Sequence, residues 1–194
     1  MLWENQPYEE VFYKNAGEFV SLKLLSDRRS ELYELTNMES LELYVKKEAP
    51  DGEIEMVLVG KSGFPASADR LLFILSYRPN RDTLPFAVIG INDSLDVFPP
   101  GSFRVINFTA EQLSVRVGGK SEKLEPQKLK VLKPDIPEKG GLVSLVVSDA
   151  KGKPVFGRRL FGQSRSRQMV FVLVDEDAKR GVRAKLLPDI VPVN

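Results

Sequence analysis

Basic side chains in the second half of the chain are the residues best suited to chemistry. Six of them fall between residues 151 and 167 with no acidic residue among them: Lys151, Lys153, Arg158, Arg159, Arg165 and Arg167. The planar guanidinium group of arginine forms paired hydrogen bonds with phosphate and carboxylate groups. We therefore expect Arg158, Arg159, Arg165 and Arg167 to form a ligand-binding surface for an anionic partner. The alternative is structural: exposed charges guard an edge strand against pairing.

Catalysis is restricted by composition. The sequence has no cysteine and no histidine, which excludes disulfides, thiolate nucleophiles, Cys/His zinc sites and imidazole bases. It also has no glycine-rich nucleotide-binding motif, no G-x-S-x-G and no EF-hand loop. We therefore expect no enzymatic activity, no cofactor and no metal. The alternative is a carboxylate-dependent glycan-active enzyme, which needs two carboxyl groups about 5 to 10 Å apart.

Two acidic segments are candidate metal sites. Asp93 and Asp96, in the segment 92–96 (NDSLD), would offer oxygen ligands to Ca²⁺. Asn, Asp and Ser clusters after strands are more often turns whose side chains bond their own backbone, and we favour that interpretation. The segment 175–177 (DED) is interpreted as a solvated hairpin tip, with Lys179 and Arg180 relieving its repulsion.

Two further patterns have a structural and a functional interpretation. Asn92 and Asn107 each begin an N-glycosylation sequon, but so short a pattern occurs by chance, which we favour. An aromatic cluster near the amino end would suit carbohydrate stacking, although anchoring of a first strand is the favoured interpretation. Its members are Trp3, Tyr8, Phe12 and Tyr13.

Charge is distributed unevenly along the chain. Residues 1–97 carry 10 Lys and Arg against 17 Asp and Glu, whereas residues 98–194 carry 18 against 10. The halves therefore have net charges of −7 and +8, within a total of +1. Two interpretations remain open: acidic and basic lobes attract each other, within one chain or in a homo-oligomer, or the second half faces an anionic surface polymer or protein. Nucleic acid is not favoured, because the whole chain is nearly neutral.

Alternation of apolar and polar residues predicts β-strands almost throughout. Leu41, Leu43 and Val45 share one face of a predicted strand, and the segment 113–117 behaves similarly. Asp51-Gly52, Gly118-Gly119 and the segment 150–153 predict hairpin turns. The runs 71–75, 86–91, 142–147 and 169–174 are apolar on both faces and predict central strands.

These strands predict an all-β fold, an antiparallel β-sandwich. About twelve short strands at intervals of roughly 8 to 12 residues are typical of a sandwich or barrel. We expect two immunoglobulin-like sandwiches packed together, an acidic one over residues 1–97 and a basic one over residues 98–194. The alternative is one interleaved sandwich over residues 1–194.

A family resemblance begins at residues 101–108 (GSFRVINF). This strand, the alternating strand 113–117 with Gly118-Gly119, and the turn 124–127 (LEPQ) resemble the opening of bacterial cell-envelope immunoglobulin-like sandwich domains of unknown function. The resemblance extends over about residues 101–175. It implies an exported, non-catalytic β-sandwich, and it carries over no functional residues.

The expected function is a non-enzymatic binding or structural module of the bacterial envelope or secreted fraction. No apolar run approaches the roughly 18 to 20 residues of a transmembrane helix. The segment 1–7 lacks the basic start and apolar run of a secretory leader. A periplasmic or secreted location therefore implies a leader removed from this chain, and a cytosolic assembly subunit is the remaining alternative.

Overall fold

The all-β prediction is confirmed. A computed structural model describes residues 8–25, 28–78, 83–175 and 181–191, and these residues form fourteen strands and no helix. The chain divides into two compact units, Met1–Ser94 and Leu95–Asn194. This boundary falls three residues before the division that the sequence predicts. We call these unit 1 and unit 2.

The described residues of unit 1 form six strands in a single sheet. Its strands are β1 (Val11–Asn15), β2 (Glu18–Leu22), β3 (Ser40–Glu48), β4 (Ile54–Gly63), β5 (Leu71–Tyr77) and β6 (Phe86–Asn92). Their order across sheet 1 is β2-β1-β3-β4-β6-β5. All neighbours are antiparallel except β4 and β6, which pair in parallel through Gly60 with Phe86 and Lys61 with Ala87.

The core of unit 1 lies on one face of sheet 1. The predicted alternation on β3 is confirmed, because Leu41, Leu43 and Val45 are all buried in this core. Tyr33 and Leu35, from the connection between β2 and β3, pack against the same face. That connection therefore forms the second layer of the unit, where regular strands would lie in a sandwich.

In unit 2, the part of the chain that the structure describes forms eight strands in two four-stranded sheets. Its strands are β7 (Phe103–Asn107), β8 (Leu113–Val117), β9 (Lys120–Leu124), β10 (Leu129–Leu132), β11 (Gly141–Ser148), β12 (Pro154–Gly162), β13 (Ser166–Val174) and β14 (Val182–Ile190). Sheet 2 has the order β10-β7-β13-β14, and sheet 3 has the order β12-β11-β8-β9. Only β7 and β13 pair in parallel among these described strands.

The two sheets of unit 2 enclose a shared core. Val105 and Val170 from sheet 2 meet Val115 and Leu145 from sheet 3, and all four side chains are fully buried. Because β8 and β11 alternate, their remaining side chains lie on the outer face of sheet 3. Unit 2 is therefore a β-sandwich, and its outer faces are where side chains reach solvent or a ligand.

Candidate binding surface

Arg158 and Arg159, two of the four predicted binding residues, lie on opposite faces of β12. Arg158 pairs across the sheet with the core residue Leu145, and Arg159 pairs with Ser144 on the outer face. Both arginines are exposed. Arg158 lies on the core side of the sheet, but β12 is an edge strand, so its long side chain reaches solvent at that edge. Successive side chains of a strand point apart, so these two arginines do not form one surface.

Arg165 is exposed in the turn between β12 and β13, but Arg167 lies in the interior of unit 2. The Arg167 side chain is fully buried on β13, and its Nε atom donates to Asp189 Oδ2 at 2.7 Å. Its Nη1 atom donates to the carbonyl oxygen of Phe98 at 2.9 Å. This corrects the predicted surface: Arg167 is a buried ion-pair residue because β14 places Asp189 directly opposite it.

A second buried arginine accompanies Arg167. Arg104 on β7 is also fully buried, and its guanidinium carbon lies 4.3 Å from the Phe98 ring centroid. The guanidinium carbon of Arg167 lies 4.8 Å from the same centroid. The quadrupole of the Phe98 ring attracts a guanidinium group at either distance. These two arginines thus belong to the internal packing of unit 2.

An exposed basic surface lies instead on the outer face of sheet 3. Arg116 on β8 and Arg159 on β12 are exposed there, together with Lys123 on β9. We call this surface the basic face. Cross-strand pairing places Val146 and Gly157 beside Arg116, and Ser144 beside Arg159. The remaining outward positions of sheet 3 are Ser114, Ser121, Leu142, Ser148, Pro154 and Phe161.

The basic face carries no acidic side chain among its described strands. Glu122 is the only acidic residue in β8, β9, β11 and β12, and it pairs with Val115 on the opposite side of the sheet. Glu122 Oε2 lies 3.7 Å from Lys130 Nζ on β10, so this carboxylate is paired with a lysine outside the basic face. Asp149, in the adjoining turn, accepts hydrogen bonds from the backbone N–H groups of Lys151 and Lys153. The basic face is therefore an area of uncompensated positive charge.

One end of the basic face is apolar. Leu142 and Phe161 are cross-strand partners there, with 70% and 55% of their surfaces exposed. The Phe161 ring packs over Gly140, where a Cβ atom would lie 2.9 Å from the ring Cζ atom. Gly140 has a φ of +84°, so the backbone that supports the ring favours glycine. An exposed ring is thus held in a defined position beside the cations.

Within the segment 92–96, Asp93 is the centre of an ion-pair cluster in unit 1. The Asp93 carboxylate is buried and accepts bonds from Arg29 Nη1 at 2.5 Å and Nη2 at 3.2 Å. Arg70 Nε lies 3.4 Å from Asp93 Oδ2, and Ser94 donates to Asp69. Two cations thus surround the carboxylate that Ca²⁺ would need. This agrees with the interpretation of the segment as a self-bonded turn, since Ser94 N donates to Asn92 Oδ1 at 3.0 Å.

The other acidic candidate is only partly described. Asp175 directly follows β13, and its Oδ2 atom lies 3.6 Å from Arg183 Nε, whereas Glu176 and Asp177 lie outside the described residues. Throughout the described ranges, no group of three or more acidic side chains is placed to hold a metal ion.

Asn107, the first residue of the second sequon, is fully buried and has a structural role. Its Nδ2 atom donates to the carbonyl oxygens of Glu111, Leu124 and Glu125 at 2.7 to 3.3 Å. Its Oδ1 atom accepts from the backbone N–H and the hydroxyl of Thr109. Asn107 therefore joins the loop after β7 to the end of β9, and the sequon pattern arises from this structural pair.

The aromatic residues near the amino end do not share one surface. Phe12 and Tyr13 alternate on β1, so Tyr13 enters the core of unit 1 and Phe12 lies on the other face beneath Lys46 Nζ. Tyr8 packs edge-on against Tyr77, and Trp3 lies outside the described residues. The placement of Tyr8 and Tyr13 agrees with the strand-anchor interpretation.

No protein-family model matches the chain, and no curated protein matches it. In the part of the chain that the structure describes, no helix has the length and apolar character to cross a membrane.

Proposed function

We propose that this protein is a non-enzymatic binding module whose unit 2 attaches to an anionic polymer of the bacterial cell envelope. The observation that carries the proposal is the basic face, where Arg116, Lys123 and Arg159 are exposed with no acidic side chain among them. Arginine binds carboxylate and phosphate groups through its planar fork. A rigid β-sheet holds these side chains at fixed spacing, which suits repeated anionic groups.

The envelope part of the proposal is supported by the family resemblance of residues 101–175, which implies an exported β-sandwich, and unit 2 has a sandwich architecture. Envelope polymers present dense negative charge, and the basic face is complementary to such charge. Fractionation of the source cells, with mass spectrometry of the amino terminus of the native protein, tests this location. We expect the protein outside the cytoplasm; recovery from the cytosol alone contradicts the envelope part of the proposal.

Binding is tested with the full chain and two anionic polymers, polygalacturonate and inorganic polyphosphate. We expect the affinity for at least one polymer to fall steadily as sodium chloride rises, because exposed charges are screened within a Debye length of about 10 Å at 0.1 M. Binding that is absent at low salt, or unchanged by salt, rejects the proposal.

A charge-matched pair of variants tests whether binding uses the basic face. One variant replaces the three cations of the basic face, Arg116, Lys123 and Arg159, with alanine. The control replaces three exposed lysines of β10 and its flanks with alanine: Lys128, Lys130 and Lys133. Both lose three positive charges, so a loss of binding confined to the basic-face variant supports a defined surface, and equal losses indicate a response to net charge alone.

A further inference from the structure

The cations of the basic face lie on one diagonal across sheet 3. Lys123 shares a cross-strand row with Ser114, Arg116 lies in the next row, and Arg159 lies one row further, beside Ser144. From strand spacing and rise, Cα atoms are about 8 Å apart between Lys123 and Arg116 and about 12 Å apart between Arg116 and Arg159.

The same diagonal continues to the exposed aromatic ring. Phe161 follows Arg159 on the same side of β12, and Leu142 is its cross-strand partner. The whole line from Lys123 to Phe161 spans about 25 Å, which is longer than a small anion and suits an extended chain. It thus presents three cations and then an apolar ring. Each cation has a serine as a cross-strand neighbour, and we call these serines the floor: Ser114, Ser121 and Ser144.

We propose that the basic face binds a linear acidic polysaccharide along this diagonal. Its carboxylates pair with Arg116 and Arg159, its hydroxyls hydrogen-bond with the serines of the floor, and a sugar ring lies against Phe161. The partially positive C–H groups of a sugar face complement the negative face of an aromatic ring. The inference rests on the proposed binding function and names the ligand class of the same site.

Other anionic chains use fewer of these features. A polyphosphate offers charge but no apolar ring face for Phe161. An acidic peptide binds a sheet most strongly through the unpaired backbone of an edge strand. A peptide added to the edge strand β12 would run along that strand, whereas the diagonal runs across the sheet from β9 to β12 over β8 and β11, whose backbones are paired on both sides. Carboxylates, hydroxyls and apolar ring faces occur together in an acidic polysaccharide, and the floor residue Ser144 lies between the two arginine strands.

The experiment compares four polymers on the full chain: polygalacturonate, its methyl ester, polyphosphate and poly-L-glutamate. We expect polygalacturonate to bind most tightly and its uncharged methyl ester to bind at least about tenfold more weakly, because the arginines lose their charged partners. Equal or tighter binding of polyphosphate or polyglutamate overturns this inference and leaves the proposed function in place. Failure of all four polymers to bind overturns both.

Two arginine variants with equal charge loss test the diagonal. Arg116→Ala with Arg159→Ala is expected to weaken polygalacturonate binding about tenfold, as loss of two charge-assisted contacts predicts. The control, Arg158→Ala with Arg165→Ala, removes exposed arginines that lie off the basic face, and we expect less than about a twofold change. Equal losses in the two variants overturn the placement. Circular dichroism of each variant checks that unit 2 remains folded.

Phe161→Ala separates the polysaccharide from a simple polyanion. It is expected to weaken polygalacturonate binding about threefold and to leave any polyphosphate binding unchanged, because only the sugar chain contacts the ring. An unchanged polygalacturonate affinity shows that the ring is not used and overturns the assignment of the ligand class. Leu32→Ala, at an exposed leucine of unit 1, is the matched apolar control.

Discussion

Arg167 and Asp189 form a cross-strand ion pair inside unit 2, with Nε and Oδ2 2.7 Å apart. Arg167 is fully buried, and the Asp189 side chain is 13% exposed. Removing one partner of a buried pair leaves an uncompensated charge, so Asp189→Ala is expected to lower the free energy of unfolding by about 3 to 5 kcal/mol. Urea denaturation, with hydrogen exchange of β13 and β14, measures the loss.

A second Asp–Arg pair of unit 2 is the control for this prediction. Asp175 Oδ2 lies 3.6 Å from Arg183 Nε, and the Arg183 side chain is 39% exposed. An exposed pair contributes less than about 1 kcal/mol, so Asp175→Ala is expected to have a small effect. Similar losses in Asp175→Ala and Asp189→Ala would show that burial of Arg167 is not what makes its pair important.

Asn107 supplies a second stability prediction. Asn107→Ala removes the donor that serves three carbonyl groups and the acceptor that serves Thr109, at a fully buried position. We expect a loss of about 3 kcal/mol in the free energy of unfolding, because several buried polar groups lose their partners. Thr109→Ser keeps the hydroxyl and is expected to change little. A mild Asn107→Ala effect would contradict the proposed role of this loop network.

Tyr44 and Glu42 lead to a pH prediction in unit 1. The Tyr44 hydroxyl donates to Glu42 Oε2 at 2.6 Å, and this bond raises the pKa of Tyr44 from 10.0 to about 12. The stability associated with neutral Tyr44 is therefore fully present below pH 10 and is lost as pH rises toward 12. Glu42→Gln is expected to return the pKa of Tyr44 toward 10.0.

Titration of ¹³C-labelled tyrosine by NMR measures this change, with Tyr44→Phe identifying the resonance. The hydrogen bond from Lys61 Nζ to Glu42 lowers the pKa of Glu42, and the bond from Tyr44 lowers it further. The stability associated with ionised Glu42 is accordingly lost as pH falls through that lowered pKa. A Tyr44 pKa that stays unchanged in Glu42→Gln would refute the assigned cause.

Gly60 gives a prediction about strand packing. A Cβ atom at Gly60 would lie 2.9 Å from Phe86 Cβ and 3.0 Å from Val88 Cγ2, across the parallel contact of β4 and β6. Gly60→Ala is expected to cost about 1 to 3 kcal/mol through overpacking, with faster hydrogen exchange in β5 and β6. Gly63→Ala is the matched control, because a Cβ atom there meets nothing within 4 Å. Equal behaviour of the two variants would rule out this steric cause.

Local pattern predicted the elements of this fold well. Leu41, Leu43 and Val45 were placed on one buried face by alternation alone, because a strand fixes the direction of each successive side chain. The turn at Gly52 was equally predictable from the sequence, since its φ of +84° suits glycine. Such features depend on residues that are close in sequence, which is why the local sequence pattern predicts them.

Positions that depend on distant residues were not predicted. The run 71–75 indicated a central strand, but β5 lies at the edge of sheet 1; the run 169–174 indicated a central strand, and β13 is one. Arg167 was grouped with its exposed neighbours because its buried state depends on Asp189, on another strand. The sequence predicted the hairpin but not its register. Counting back from the predicted tip at residues 175–177 places Lys185 opposite Arg167, whereas the observed pairing of Val174 with Val182 places Asp189 there.

Arg116 was missed as a member of the basic face because it is remote in sequence from Arg159. The strand 113–117 was predicted with Leu113, Val115 and Val117 inward, and this placed Arg116 outward. What the sequence lacks is the order of strands in sheet 3, in which β11 alone separates β8 from β12. Side-chain direction is a local property, whereas the neighbour of a strand is a property of the assembled sheet.

The parallel pairing of β7 with β13 has a consequence for the kinetics of folding. Val105 aligns with Val170, so 65 residues must be synthesised and looped out before this contact exists. The hairpins β8–β9 and β11–β12 need only short loops and are expected to form early, since loop closure and contact order govern folding rate. During synthesis the apolar side of sheet 3 therefore stays uncovered until β13 is made. In this interval the nascent chain is most prone to aggregation or to binding by a chaperone.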